Sequence, residues 1–94
     1  ISAAAFSELQ TVTRHIEGGL RRAFHYDRIN YLMLMMVDPD VHFHVIPRYE
    51  TPRTFSAQVF TDHGWPGPPD LAKVNATDTE QNHRILTALK AYWP

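Results

Sequence analysis

The chain has 94 residues, 44% of them hydrophobic, with nine basic and ten acidic side chains and no cysteine. That length bounds it to a single domain, residues 1–94, with one modest core. A formal net charge of −1 gives no electrostatic case for a nucleic-acid backbone or an acidic membrane as partner, and the missing thiols exclude disulfides and cysteine metal sites.

No apolar run reaches the roughly 18 residues of a membrane span. The longest, residues 29–37, is interrupted by Asn30 and is strand-sized. Ile1-Ser2-Ala3 has neither an initiator Met nor the pattern of a signal peptide. The expectation is a cytoplasmic chain that begins inside a larger natural sequence.

Residues 2–24 read as an amphipathic helix, because Phe6, Leu9, Val12, Ile16, Leu20 and Phe24 recur every three or four positions. Gly18-Gly19 weakens its last turns by ~1 kcal/mol per glycine relative to alanine, and His25 is placed to cap its C-terminus. Residues 30–37 (NYLMLMMV) are apolar at almost every position and predict a strand covered on both faces. Asp38-Pro39-Asp40 is a turn signal, and the β-formers of residues 41–46 predict the second strand of an antiparallel hairpin. Pro47 should end that strand or mark an edge.

Further on, residues 55–60 predict a short strand or an extended edge segment. Gly64-Trp65-Pro66-Gly67-Pro68-Pro69 predicts an irregular surface loop with an aromatic anchor. Thr77 as N-cap with Glu80 three residues later fits a capping box, opening a helix over 78–92 that buries Ile85, Leu86, Leu89 and Tyr92. The order of helix, hairpin, irregular segment and helix is an α+β pattern with an antiparallel sheet. Two strands make a thin sheet, so further strands upstream of Ile1 or a partner subunit are expected to complete it.

Six histidines are present, and only His42 and His44 form a pair on one strand. Side chains alternate across a strand, so the two imidazoles should share a face, about 7 Å apart along the chain, while Val41, Phe43 and Val45 pack a core on the other. A polar sheet face open to water would show the same pattern. Three chemical readings stand beside it. An imidazole with an ordinary pKa near ~6.5 can attack phosphorus and form a phosphoramidate, while its neighbour holds a phosphate oxygen or protonates the leaving group. His-x-His is also metal-ligand spacing, with Asp40 as a third ligand on the same face. A serine or cysteine hydrolase is set aside, since there is no Cys and neither Ser7 nor Ser56 lies in a nucleophile elbow.

Asp40-Val41-His42-Phe43-His44-Val45-Ile46-Pro47-Arg48-Tyr49 resembles the histidine-triad (HIT) signature, in which three histidines alternate with apolar residues and Pro-Arg often follows. The long first helix, the strand beginning at Asn30-Tyr31 and the later Trp65-Pro66 segment stand where that family has comparable elements. The resemblance implies a HIT-like α+β fold, an antiparallel sheet with packed helices that lacks N-terminal strands here. It implies a nucleotide hydrolase or nucleotidyl transferase acting at an α-phosphate, with His42 as nucleophile and His44 positioning the phosphate. It implies no cofactor, a nucleotide or nucleotidyl small molecule as partner, and a homodimer. Arg48 is a candidate for steadying the chain or a substrate phosphate, with a surface salt bridge as the competing role.

This chain departs from the pattern in two ways. The first triad position is Asp40, a carboxylate that can orient an imidazole or raise its pKa and adds charge beside a phosphate. The glycine-containing approach of many members is replaced by Met35-Met36-Val37-Asp38-Pro39. Two other functions are therefore carried alongside catalysis: a non-catalytic nucleotide-binding module, and a metal site built from Asp40, His42 and His44.

Overall fold

The computed structural model describes residues 2–33 and 42–94. Their elements run α1 (Ala3–Phe24), β1 (Arg28–Leu32), β2 (His44–Arg48), β3 (Arg53–Phe55), β4 (Gln58–Phe60) and α2 (Thr79–Tyr92). This is the α+β arrangement predicted.

Ser2 starts α1 by accepting a hydrogen bond from the Ala5 N–H, at 3.1 Å, which satisfies one of the first-turn donors. Arg21 and Arg22 lie in the last turn, where cations favour the negative end of the helix dipole. His25 ends it in the left-handed region (φ 48°), its N–H donating to the Arg21 carbonyl. The glycine pair does not interrupt this helix. Gly19 is buried against Trp93, and a Cβ there would come within 2.9 Å of the Trp93 ring. Close approach of α1 and α2 therefore offsets what Gly19 costs the isolated helix, and Arg22 adds a hydrogen bond to the Tyr92 carbonyl at 3.3 Å.

β1 and β2 pair antiparallel, with Arg28 opposite Arg48, Asn30 opposite Ile46 and Leu32 opposite His44. The strands differ from the predicted ones. β1 starts at Arg28 and ends at Leu32, and Met33 beyond it is exposed. β2 begins at His44 and continues through Pro47 to Arg48. Proline is tolerated there because β2 pairs on one side only among the described residues. Phe43 precedes the strand and is exposed, so it does not join a core. The predicted turn at Asp38-Pro39-Asp40 lies outside the described residues, as does Val41.

The segment 53–60 is a hairpin in its own right, with Arg53 opposite Phe60 and Phe55 opposite Gln58. Ser56 and Ala57 both take positive φ, 49° and 66°, as a two-residue loop needs when its twist must match the flanking strands. Asparagine and glycine usually mark such a turn, and this sequence carries neither.

α2 is capped one residue later than predicted. Asp78, not Thr77, accepts from the Gln81 N–H at 2.7 Å. Gln81 is buried and turns its amide to the Phe55 carbonyl at 2.9 Å, tying α2 to the hairpin. Ile85 and Leu89 are half-buried as predicted, but Leu86 and Tyr92 are exposed. Among the described residues no hydrophobic side chain is buried, whereas Arg48 and Gln81 are, at 5% and 4% exposure. No helix among the described residues is long and apolar enough to cross a membrane.

Candidate active site

His44 opens β2 and His42 stands two residues before it. Their ring centroids are 5.4 Å apart, with planes inclined at 75°. The imidazoles are therefore edge-to-face neighbours, as a spacing of two in extended chain predicts. His42 is half-buried and His44 is exposed. Asp40 lies outside the described residues. Among the described residues no group of three His, Cys, Asp or Glu side chains is placed to hold a metal ion.

Four residues after His44, Arg48 is the most heavily engaged side chain on β2. Its Nε and Nη2 donate to the two Asp62 carboxylate oxygens at 2.6 and 3.1 Å. Nη1 donates to Asn30 Oδ1 at 2.6 Å, and Nη2 also reaches the Gly67 carbonyl at 2.8 Å. The guanidinium stands 6.0 Å from the Trp65 ring centroid. Arg48 and Asp62 are 6% and 9% exposed, so the surface salt bridge weighed from sequence is in fact a buried one. These bonds turn Arg48 into the protein and away from solvent. They describe steadying of the chain, and they leave little of the guanidinium for a substrate phosphate.

Asp62 gathers two further groups. The N–H groups of Tyr49 and Gly64 each donate to it at 3.1 Å. The Arg48 hydrogen bonds hold its carboxyl below the usual range, with the two backbone N–H groups adding to that and burial opposing it. Gly64 is required where the chain turns, because a Cβ there would collide with the Pro68 carbonyl. Trp65-Pro66 in the same loop is a cis peptide. Tyr49 donates to the Phe24 carbonyl at 2.9 Å, which ties the end of β2 to α1, and burial raises its phenol pKa.

A second clasp lies beside the first. Asp27 accepts from the Glu50 N–H at 2.8 Å and from Arg53 Nη2 at 2.9 Å. The Glu50 N–H, with help from Arg53, lowers its carboxyl pKa.

Sequence reasoning found the imidazole pair and missed its anchors. Asp62-His63-Gly64 is an Asx-turn pattern that marks a bend. Nothing in the spacing of 14 residues names Arg48 as its partner. Asn30 was read as an interruption of an apolar run, and its side chain is instead a ligand for Arg48.

A cavity of about 670 Å³ lies between the end of α1, the end of β2, the β3–β4 hairpin and α2, and neither His42 nor His44 lines it. The imidazole pair is thus a separate feature, reached from solvent at His44.

No protein-family model matches the chain, and no curated protein sequence matches it. The fold is similar to a crystal structure of a histidine triad (HIT) protein from Sinorhizobium meliloti 1021, with a TM-score of 0.70 and 24% sequence identity. The match covers 98% of this chain and 62% of that one. At that identity the likeness speaks for the fold: this chain has a HIT-like α+β fold.

Proposed function

We propose that the protein is a HIT-like nucleotide hydrolase or nucleotidyl transferase, with His42 as the nucleophile. The observation that carries this reading is the imidazole pair, 5.4 Å between ring centroids at the head of β2, on a fold similar to that of a HIT protein. A pair at this spacing divides a phosphoryl-group transfer between an attacking ring and a supporting one.

In the first step an unprotonated ring nitrogen of His42 attacks the α-phosphorus of a nucleoside phosphoramidate or dinucleoside polyphosphate. An N–P bond forms, the bond from phosphorus to the leaving nitrogen or oxygen breaks, and that atom departs with the electron pair and takes up a proton. In the second step water attacks the same phosphorus. The N–P bond breaks, the water loses a proton, and nucleoside monophosphate leaves. In a transferase a different nucleophile takes the place of water. His44 holds a phosphate oxygen during both displacements. Asp40, at the first triad position, is assigned a substrate-side role in orienting an imidazole. Arg48 is assigned the role of fixing β2.

His42→Ala tests this directly. Turnover of a nucleoside phosphoramidate is expected to fall by at least three orders of magnitude with circular dichroism unchanged, and full retained activity would overturn the mechanism. Asp40 favours a second reading, a nucleotide-binding module without catalysis. Calorimetric binding of a nucleoside monophosphate to the unaltered protein, with no measurable hydrolysis of any nucleotidyl substrate, would select that reading.

A further inference from the structure

Residues directly opposite each other in an antiparallel ladder share one face of it. Leu32 is opposite His44, Asn30 opposite Ile46 and Arg28 opposite Arg48. His44, Asn30 and Arg48 therefore project from the same face of the β1–β2 ribbon. Asn30 is the diagonal neighbour of both His44 and Arg48, and it is half-buried. On that face it is the polar side chain of β1 nearest in the ladder to His44.

Arg48 fixes how the Asn30 amide stands. A guanidinium carries donors only, so the amide atom 2.6 Å from Arg48 Nη1 is the oxygen. The amide nitrogen must then find acceptors for its protons elsewhere. Among the described residues its contact is the Ile29 carbonyl at 3.4 Å, long for an N–H···O bond. An N–H of Asn30 is thus left to donate. The charged donor on Oδ1 polarises the amide and strengthens that N–H. Arg48 itself stays closed on Asp62 and the Gly67 carbonyl, so Asn30 is the member of the hub placed beside the imidazole.

We propose, on the nucleotide reading of the imidazole pair, that Asn30 is a further substrate-binding residue. Its remaining amide N–H donates to an oxygen of the phosphate that His44 holds. Diagonal neighbours across a strand pair stand about 7–8 Å apart, a gap that one phosphate with a donor on each side spans. The group left over on Asn30 is a donor, so its ligand brings an acceptor, and an anionic oxygen makes the strongest bond to a polarised N–H.

Calorimetry with a nucleoside and its 5′-monophosphate (adenosine and AMP, then uridine and UMP) reads this contact as the ratio of the two dissociation constants. The unaltered protein is expected to bind the monophosphate about tenfold or more tightly than the nucleoside. Two variants isolate the N–H. Asn30→Asp keeps an acceptor for Arg48 and loses the donor, whereas Asn30→Ala loses both and adds no charge. Each is expected to cut the preference for the monophosphate by at least about fivefold, with nucleoside affinity and circular dichroism unchanged. Where Asn30→Ala does not fold, Asn30→Asp in about 0.5 M salt replaces it, because salt screens a distant charge and does not restore a lost donor. An Asn30 that only supports Arg48 would leave Asn30→Asp like the parent. A charge effect alone would leave Asn30→Ala like the parent, or would vanish in salt. Each of these results overturns the proposal, as does a parent protein without preference for the monophosphate. His42→Ala, assayed for turnover beside them, keeps the two readings apart. Full turnover in His42→Ala with the preference lost in the Asn30 variants removes the catalytic mechanism and supports the contact. Lost turnover in His42→Ala with the preference kept in the Asn30 variants removes the contact and leaves the mechanism standing.

Discussion

Arg48 and Asp62 are joined by two contacts, Nε to Oδ2 and Nη2 to Oδ1, at 2.6 and 3.1 Å and almost without exposure to solvent. A buried pair of this kind is not a large net stabiliser, because removing both ions from water offsets most of their attraction. Breaking it is another matter, since the surviving charge stays buried. Here loss of Asp62 would also release the Tyr49 and Gly64 N–H groups, and loss of Arg48 would release Asn30 and the Gly67 carbonyl.

Asp62→Ala is therefore expected to destabilise the fold by on the order of 3–5 kcal/mol. Arg48→Lys should also lose most of the hub, because an ammonium cannot reproduce the two-toothed geometry. Urea unfolding followed by circular dichroism measures both. A change below about 0.5 kcal/mol in Asp62→Ala would mean that the hub does not hold β2.

The same carboxylate sets an acid limit. Its folded-state pKa lies below the ordinary value, so the folded protein binds fewer protons than the unfolded chain in that range. The stabilisation is complete above the unfolded carboxylate pKa of about 4 and is lost as pH falls from there through the lowered value. Asp27 is shifted in the same direction. Melting temperature should drop steeply below about pH 4, and Asp62→Asn, though less stable at neutral pH, should show a shallower acid decline.

Tyr31 should give the opposite limb. Burial, together with the nearby Glu17 carboxylate, pushes its hydroxyl pKa up to about 12. A raised pKa means that the folded state keeps its proton while the unfolded chain starts to lose it near pH 10. Stability is full below pH 10 and falls as pH rises toward 12. Tyr31→Phe should weaken that alkaline loss, as read from unfolding curves between pH 9 and 12.

The two adjacent helix glycines should respond differently to alanine. A Cβ on Gly18 meets only the end of the Arg22 side chain, at 3.4 Å, so Gly18→Ala should stabilise by about 0.5–1 kcal/mol. On Gly19 it meets the Trp93 ring at 2.9 Å. Gly19→Ala should forfeit that gain and shift Trp93 emission to the red, measured in a Trp65→Phe background. Equal stabilisation by both variants would show that α1 and α2 do not pack through Trp93.

Ser56 and Ala57 carry positive φ without being glycine or asparagine, at a cost of about 1 kcal/mol each. Ser56→Asn with Ala57→Gly should raise stability by about 1–2 kcal/mol, or roughly 4–8 °C per kcal/mol in Tm for a domain of this size. No gain would exclude a two-residue turn at this position.

Local periodicity and local spacing were enough for the apolar stripe of α1, the His25 cap, the antiparallel partnership of the strands bearing Asn30 and His44, and the two neighbouring imidazoles. Those are consequences of neighbours three or four apart in a helix and two apart in a strand. The remaining features depend on residues far apart in the chain. The Asp62 contact made Arg48 a buried hub, Trp93 let a glycine stay in mid-helix, and strand pairing forced Ser56 and Ala57 into a turn their side chains do not announce. Burial followed the same rule: Phe43, Leu86 and Tyr92 fit apolar patterns yet lie exposed, because a pattern names a face and only packing supplies the surface that covers it.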